Sequence, residues 1–205
     1  MVAHQVPQVR RWFDAVVVLG HMVKDRQALG HNRRVAQLCV QIGRQMAMTT
    51  AELRVLAQAG LLHDIGKLGI PDHILGKDAP LDESEWKLMK SHPEIGLSIL
   101  GDSRSRRELM AVLYHHERLD ASGYPYGLAG EAIPIEARIV AAADTYDALT
   151  SDRPYRKACR PAEARMVLME EAGRRLDARV VTALFAALDS HMTRMAAARR
   201  MSMAG

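Results

Sequence analysis

Apolar residues recur at steps of three and four along most of the chain, a spacing that predicts amphipathic α-helices. No segment sustains the alternation of a β-strand, and no internal repeat or linker rich in Gly, Ser or Pro interrupts the pattern. The predicted fold is therefore all-α, a single helical bundle. Its predicted helices cover residues 33–47, 53–65, 82–92, 93–100, 105–118, 135–149, 161–172 and 177–198.

Capping residues and helix breakers mark several helix ends. Thr49-x-x-Glu52 is a capping box that opens the helix over 53–65, and Gly66 closes it. That helix is apolar on nearly all faces, which predicts a place at the centre of the bundle. Pro93 either kinks the preceding helix or starts the next one. An irregular loop rich in Gly and Pro runs from Asp120 to Pro134.

The first 27 residues are predicted to form an N-terminal helix that precedes the main domain. Their apolar positions form a stripe, namely Trp12, Phe13, Val16, Val17 and Leu19. This helix could pack on the domain, dimerise or lead from a signalling domain. Residues 28–205 form the main domain.

Composition narrows the class of protein. Aromatic residues make up only 4% of the chain while Met occurs 12 times, which suits helix packing better than a β-sandwich. No apolar run approaches the roughly 18 residues of a membrane span. Cys39 and Cys159 form no CxxC pattern and are interpreted as reduced thiols, so a cytoplasmic location is expected. The net charge is +4, and the Lys and Arg residues form no dense basic run, which argues against DNA binding.

The candidate chemistry lies in histidines and aspartates within apolar surroundings. His63 and Asp64 stand inside an apolar run, and His115-His116 is a tandem pair. Burying such groups without compensation is costly, whereas a divalent metal accepts both neutral imidazole and ionised carboxylate as ligands. Adjacent helical residues point about 100° apart, so the helix end at the tandem pair should be irregular. One metal site is predicted from His31, His63, Asp64, His92, His115, His116 and Asp144.

These residues together resemble the HD-GYP subfamily of the HD phosphohydrolases. The HD pattern H…HD…D is matched by His31, His63-Asp64 and Asp144. The subfamily additions are matched by His92, His115-His116 and Gly123-Tyr124-Pro125. The resemblance extends over residues 28–185, most of the chain.

The resemblance implies a metal-dependent hydrolase of cyclic di-GMP, a bacterial second messenger, with linear pGpG as the product; whether cleavage continues to GMP stays open. It implies an all-helical HD domain with two divalent transition metals, iron or manganese before nickel or zinc. One metal would be held by His31, His63, Asp64 and Asp144. The other would be held by His92, His115 and His116, with Asp64 bridging the two.

Further roles follow from the same resemblance. Lys67, taken as one helical turn after His63, would act on the phosphate as a catalytic group beside Asp64. Arg153 and Arg156 would contact the substrate, and Tyr124 would either stack on a base or fix the loop. Glu117 and Asp120 either orient the imidazoles or are solvent-facing charges, and one of the two is expected to orient a ring.

Two positions depart from the subfamily pattern. Ala121 stands where the loop commonly has Gly, and a positive φ there would cost Ala on the order of 1 kcal/mol. Gln27 stands where some members carry a Glu that supports a third metal. Two metals are therefore expected.

Two alternative functions stay open. The same site could serve another cyclic dinucleotide such as cyclic GMP-AMP. The domain could also be a low-turnover module that senses the nucleotide or docks a diguanylate cyclase or other signalling partner. A homodimer is a further expectation for the assembly.

Overall fold

The computed structural model describes residues 28–152 and 157–203, and over those ranges the regular elements are all helical. The predicted helix in residues 1–27 lies outside the described residues. Strand-type pairing within these ranges is limited to the isolated bridges Asp120–Ala129 and Ala172–Leu176. The all-α prediction is confirmed. The α-helices are α1 (Ala28–Gln45), α2 (Thr50–Leu62), α3 (Asp72–Leu75), α4 (Glu83–Met89), α5 (His92–Leu100), α6 (Arg106–Tyr114), α7 (Ile135–Thr150), α8 (Pro161–Glu171) and α9 (Ala178–Met203).

Helix α7 contributes more buried residues than α2, although the sequence placed α2 at the centre. Its small residues Ala141, Ala142 and Ala143 are buried and let neighbouring helices approach closely. Apolar side chains from several helices complete the core around it, among them Val35, Ile42, Leu56, Leu168, Val180 and Leu184. None of the helices in the described ranges is long and apolar enough to cross a membrane.

Local sequence signals explain most helix starts. The capping box of Thr49 and Glu52 is present, and Asp82 forms a second one with Glu85. Each cap satisfies backbone N–H groups that have no partner in the first helical turn. Pro93 begins a new helix rather than kinking the preceding one, because a first-turn position needs no N–H donor.

The two helices that lead into the predicted ligand pairs His63-Asp64 and His115-His116 end earlier than expected. The helix predicted to reach Ile65 ends at Leu62, and a 3₁₀ turn follows over Ile65–Gly69. Similarly, the helix predicted to reach 118 ends at Tyr114. Both metal-ligand pairs predicted from sequence therefore stand at helix ends, as was expected for the tandem histidines alone.

Close packing accounts for the early end of α2. A Cβ on Gly66 would lie 1.8 Å from the carbonyl oxygen of His92 and 2.5 Å from the backbone nitrogen of Gly96. The backbone of the 3₁₀ turn thus lies directly against the first turns of α5. Only glycine allows this approach, and it brings the segment after His63 next to His92.

The loop from Asp120 to Pro134 is anchored by a buried carboxylate. Glu117 accepts hydrogen bonds from the backbone N–H of Tyr126 at 2.8 Å and of Leu128 at 3.0 Å. Ala121 adopts φ 62°, so the position does require a left-handed backbone. The departure from glycine therefore introduces the expected strain, and the loop is held in spite of it.

Replacing Ala121 by glycine should stabilise the fold. Relief of the left-handed strain should raise the free energy of unfolding by roughly 1–2 kcal/mol. The added freedom of glycine in the unfolded chain should lower it by roughly 0.4–1 kcal/mol. Chemical denaturation should therefore show a gain of roughly 0.5–1 kcal/mol for Ala121→Gly. The matched control is Ala129→Gly in the same loop, where φ is −116°; it should lose stability. A loss of stability in both variants would contradict the conclusion that Ala121 is strained.

Candidate metal centre

All seven predicted metal-ligand side chains converge on one site, although they come from distant segments. Six of them offer ligand atoms that form two groups, each with all atoms within 4.8 Å of one another. The first group is His31, His63 and Asp64, and the second is Asp64, His92, His115 and His116. Asp64 belongs to both.

The two carboxylate oxygens of Asp64 face different groups. Its Oδ2 lies 3.5 Å from Nε2 of His63 and 3.8 Å from Nε2 of His31. Its Oδ1 lies 3.4 Å from Nε2 of His92. A carboxylate in this position could bridge two ions.

Asp144 stands beside the first group only. Its Oδ1 lies 3.3 Å from Nε2 of His31 and 4.0 Å from Nε2 of His63. With Asp144 the first group has two nitrogen and two oxygen donors, and the second has three nitrogen donors and one oxygen donor, so each group has four.

Three imidazoles are oriented by carbonyls at helix ends. The Nδ1 atoms of His63, His92 and His115 lie 2.9, 2.8 and 2.6 Å from the carbonyl oxygens three residues earlier, in Gly60, Met89 and Val112. Those carbonyls belong to the last turns of α2, α4 and α6, where helical partners are missing. Because a carbonyl only accepts, each Nδ1 carries the proton and each Nε2 presents a lone pair to the site.

The fit to metal ions rests on these lone pairs. Nε2 of His63 is buried and has no hydrogen-bond partner among the described residues, which is unfavourable for a buried acceptor. Nε2 of His92 and Nε2 of His115 lie only 3.4 Å apart. Two lone pairs at that distance repel each other unless a cation lies between them. The donor set therefore fits divalent metal ions.

The protonation states agree with this fit. Burial lowers the pKa of His92, His115 and His116, so these imidazoles are neutral. Burial alone would raise the pKa of Asp64, but the ammonium of Lys67 outweighs it and holds that pKa well below its usual range. The carboxylate stays ionised. Neutral imidazole and ionised carboxylate are the donors that first-row transition metals prefer.

His31 differs because its partners are acidic. Burial disfavours its charged form, but hydrogen bonds to Asp144 and Asp147 outweigh burial and raise the pKa of His31 to about 9. Without metal the ring is thus protonated at neutral pH. A metal that binds its nitrogen must displace this proton.

Asp147 is the functional residue that the sequence reasoning missed. Its Oδ2 accepts a hydrogen bond from Nδ1 of His31 at 2.7 Å, and Arg34 binds the carboxylate through Nε at 2.6 Å and a terminal nitrogen at 2.9 Å. The sequence did contain a signal for Asp147. It lies three residues after Asp144, a predicted metal ligand, and residues three apart on a helix share a face.

Lys67 reaches the site by a different route from the one predicted. The helix does not continue from His63 to Lys67, so the one-turn argument was wrong. The 3₁₀ turn nevertheless brings Nζ of Lys67 to 2.6 Å from Oδ2 of Asp64.

The Gly-Tyr-Pro loop packs directly on the tandem histidines. The ring of Tyr124 stacks on that of His116, with centroids 4.6 Å apart and planes at 25°. A Cβ on Gly123 would lie 2.4 Å from backbone atoms of Glu117 and Arg118, so glycine permits this close packing. Arg153 and Arg156 lie outside the described residues, and their predicted substrate contacts stay predictions.

The prediction that Glu117 or Asp120 orients an imidazole is wrong, whereas the alternative of a solvent-facing charge holds for Asp120. Glu117 holds the loop backbone, as described above. Asp120 is exposed, and its carboxylate accepts from the backbone N–H of Ser122 at 3.0 Å and from the Ser122 hydroxyl. Both carboxylates shape the loop, whereas backbone carbonyls and Asp147 orient the rings.

Comparison with known proteins places the chain in a family. A model described as an HD domain matches residues 18–180, most of the chain. The chain therefore belongs to the HD domain family, and the resemblance to HD-GYP proteins is confirmed.

The relatives include enzymes named for one or the other of two substrates, cyclic di-GMP and 3'3'-cGAMP. The cyclic di-GMP phosphodiesterase response regulator RpfG of Xanthomonas campestris pv. campestris is 45% identical over 154 residues, 74% of this chain and 41% of that protein. The 3'3'-cGAMP-specific phosphodiesterase 2 of Vibrio cholerae is 39% identical over 166 residues, 78% of this chain and 31% of that protein. The chain thus spans less than half the length of these two relatives.

A solved structure shares the fold. Bd1817, an HDG"Y"P protein from Bdellovibrio bacteriovorus, superposes with a TM-score of 0.66 at 21% identity. The match covers 79% of this chain and 52% of that one. At this identity the likeness shows the fold alone.

Replacing Asp147 should weaken metal binding without unfolding the protein. Asp147→Asn removes the charge that holds His31, and loss of such an orienting partner typically costs 10- to 100-fold in metal affinity, so about that loss is expected here. Competition for Mn²⁺ with a fluorescent chelator measures it. Asp189→Asn is the matched control, because Asp189 also pairs with an arginine through both oxygens, but at Arg165. Equal affinity in both variants would overturn the assignment.

Proposed function

We propose that this chain hydrolyses a phosphodiester bond of a cyclic dinucleotide, with cyclic di-GMP as the first candidate. The linear dinucleotide pGpG is the first product, and a second cleavage yields GMP. The observation that carries the proposal is the position of Asp64, which presents one carboxylate oxygen to each of two imidazole groups. A carboxylate shared in this way would hold two metal ions close together, which is the arrangement that two-metal hydrolases of phosphate esters use.

The proposed cofactors are two divalent ions, iron or manganese. His31, His63, Asp64 and Asp144 would hold one ion, and Asp64, His92, His115 and His116 the other. When bound, such a pair activates a water molecule and neutralises the charge that develops on the phosphate. The fixed tautomers keep all three carbonyl-bound imidazoles ready as ligands.

Lys67 is the proposed catalytic partner of Asp64. Its ammonium lies within hydrogen-bond distance of the shared carboxylate, and the Lys67 side chain is about a quarter exposed, which leaves room for a substrate phosphate to approach it. There it would hold a proton near the oxygen that leaves and stabilise the negative charge forming on it. Tyr124, Arg153 and Arg156 are proposed to bind the rest of the substrate.

Substrate identity has a specific second candidate. The relatives include a 3'3'-cGAMP-specific enzyme at 39% identity beside the cyclic di-GMP enzyme at 45%. These similar identities keep cyclic GMP-AMP as the alternative. A low-turnover sensing module is less well supported, since all seven ligand side chains are placed together.

The setting proposed for this activity is the cytoplasm. Cys39 and Cys159 are both free thiols, which fits a reducing compartment. Contacts with a diguanylate cyclase or a second copy of the chain stay predictions.

Turnover assays with matched variants test the proposal. The protein, loaded with Mn²⁺ or with Fe²⁺ under anaerobic conditions, should cleave cyclic di-GMP, as followed by chromatography. Asp64→Asn keeps the side-chain volume but removes the bridging charge, so activity should fall to background while circular dichroism is unchanged. The control Asp78→Asn changes an exposed aspartate and should leave turnover intact.

A chelator should abolish the activity and Mn²⁺ should restore it. Parallel reactions with 3'3'-cGAMP rank the two substrates. Undiminished turnover by Asp64→Asn would contradict the two-metal mechanism, and no turnover of either nucleotide by the metal-loaded chain would contradict the enzymatic function.

A further inference from the structure

An aromatic and cationic cluster lies beside the metal centre, on the end of α4. Nζ of Lys90 is 5.7 Å from the centroid of the Trp86 ring and 5.6 Å from the centroid of the Tyr124 ring. The indole of Trp86 is 47% exposed, which is unusual for so large an apolar side chain. Lys90 thus stands between an exposed ring and a ring of the Gly-Tyr-Pro loop.

The cluster is continuous with the proposed metal ligands. Tyr124 stacks on His116 at 4.6 Å, and the ring of His92 lies 6.4 Å from Tyr124 in an edge-to-face arrangement. His92 also follows Lys90 by only two residues. A ligand that extends beyond the metal centre past Tyr124 would meet Lys90 and then Trp86.

The charge of Lys90 is not neutralised by the protein. Within the described ranges, no carboxylate lies within ion-pair distance of its ammonium, whereas Lys67 and Lys77 each pair with one. Aromatic faces attract the cation but leave its net charge intact. The position therefore favours an anion, and phosphate is the anion of the proposed substrate.

We propose that Lys90 and Trp86 form a subsite for the second nucleotide of the substrate, the half whose phosphate is not being cleaved. Lys90 binds the phosphate of that half and Trp86 stacks on its base. This inference rests on the proposed function. An exposed indole is a suitable platform, because base stacking on aromatic side chains is strong and loses little side-chain entropy.

Kinetics with two substrates test the subsite. Lys90→Gln should raise KM for cyclic di-GMP about tenfold, because contacts to the unreacting half affect binding more than the chemical step. Its turnover of bis(p-nitrophenyl) phosphate, a diester without a second nucleotide, should stay as in the original chain. Lys87→Gln is the matched control, since Lys87 is an exposed lysine on the same helix.

The stacking role of Trp86 has its own variants. Trp86→Ala should raise KM for cyclic di-GMP about tenfold or more, and Trp86→Phe should recover most of the loss because a ring is retained. Thermal unfolding of each variant shows whether a change in KM is due to an unstable fold. If Phe fails to rescue a stable Ala variant, stacking is contradicted.

A binding measurement separates this inference from the proposed function. The chain has two tryptophans, so Trp12→Phe leaves Trp86 as the fluorescent reporter. Cyclic di-GMP should quench its fluorescence, and Lys90→Gln should weaken that binding about tenfold. Quenching without turnover would support the subsite while contradicting the hydrolase. Turnover with no quenching, or with KM unchanged by Lys90→Gln, would overturn the subsite and leave the hydrolase intact.

Discussion

The shared carboxylate of Asp64 is the interaction on which the rest of the site depends. It is buried and ionised, and it lies beside the Nε2 atoms of His63 and His92, which offer lone pairs rather than N–H donors. Lys67 donates a hydrogen bond to its Oδ2 at 2.6 Å. Cations between Asp64 and the two imidazole groups would balance the remaining charge and satisfy the nitrogens, which explains why so many polar groups can lie within an apolar bundle.

Helix ends provide the geometry of the centre. His63 and His115 immediately follow their helices, and His92 comes three residues after the end of α4. Each ring satisfies a carbonyl left free by the helix and thereby fixes its own tautomer. The same hydrogen bond therefore caps a helix and directs an Nε2 lone pair into the site. The stability of these helix ends and the orientation of the metal-binding nitrogens are coupled in this way.

The sequence was sufficient for the fold class, because helical spacing is a local pattern. It also indicated which seven His and Asp side chains lie together, because they match the ordered motifs of a known family. The early ends of α2 and α6 were not predictable from spacing. Ile65 continues the apolar period of α2, yet the helix ends at Leu62 because Gly66 packs against the backbone of α5. That contact joins residues far apart in the chain and leaves no periodic signal.

The partners of the ligands were harder to predict for a similar reason. Glu117 and Asp120 lie beside the tandem histidines in the sequence, yet their carboxylates point into the loop. Asp147 reaches His31 across 116 residues, through the packing of α7 on α1. Orientation of the imidazoles is thus set by tertiary contacts and by backbone carbonyls, which carry no mark in the side-chain pattern.

Electron paramagnetic resonance of the Mn²⁺-loaded chain tests the central claim most directly. If Asp64 bridges two ions, the fully loaded protein should bind two Mn²⁺ per chain and give the spectrum of a magnetically coupled pair. Metal analysis of the same sample fixes the stoichiometry. One ion per chain, or two ions that give only the signal of isolated Mn²⁺, would contradict the account of a shared carboxylate at a two-metal centre.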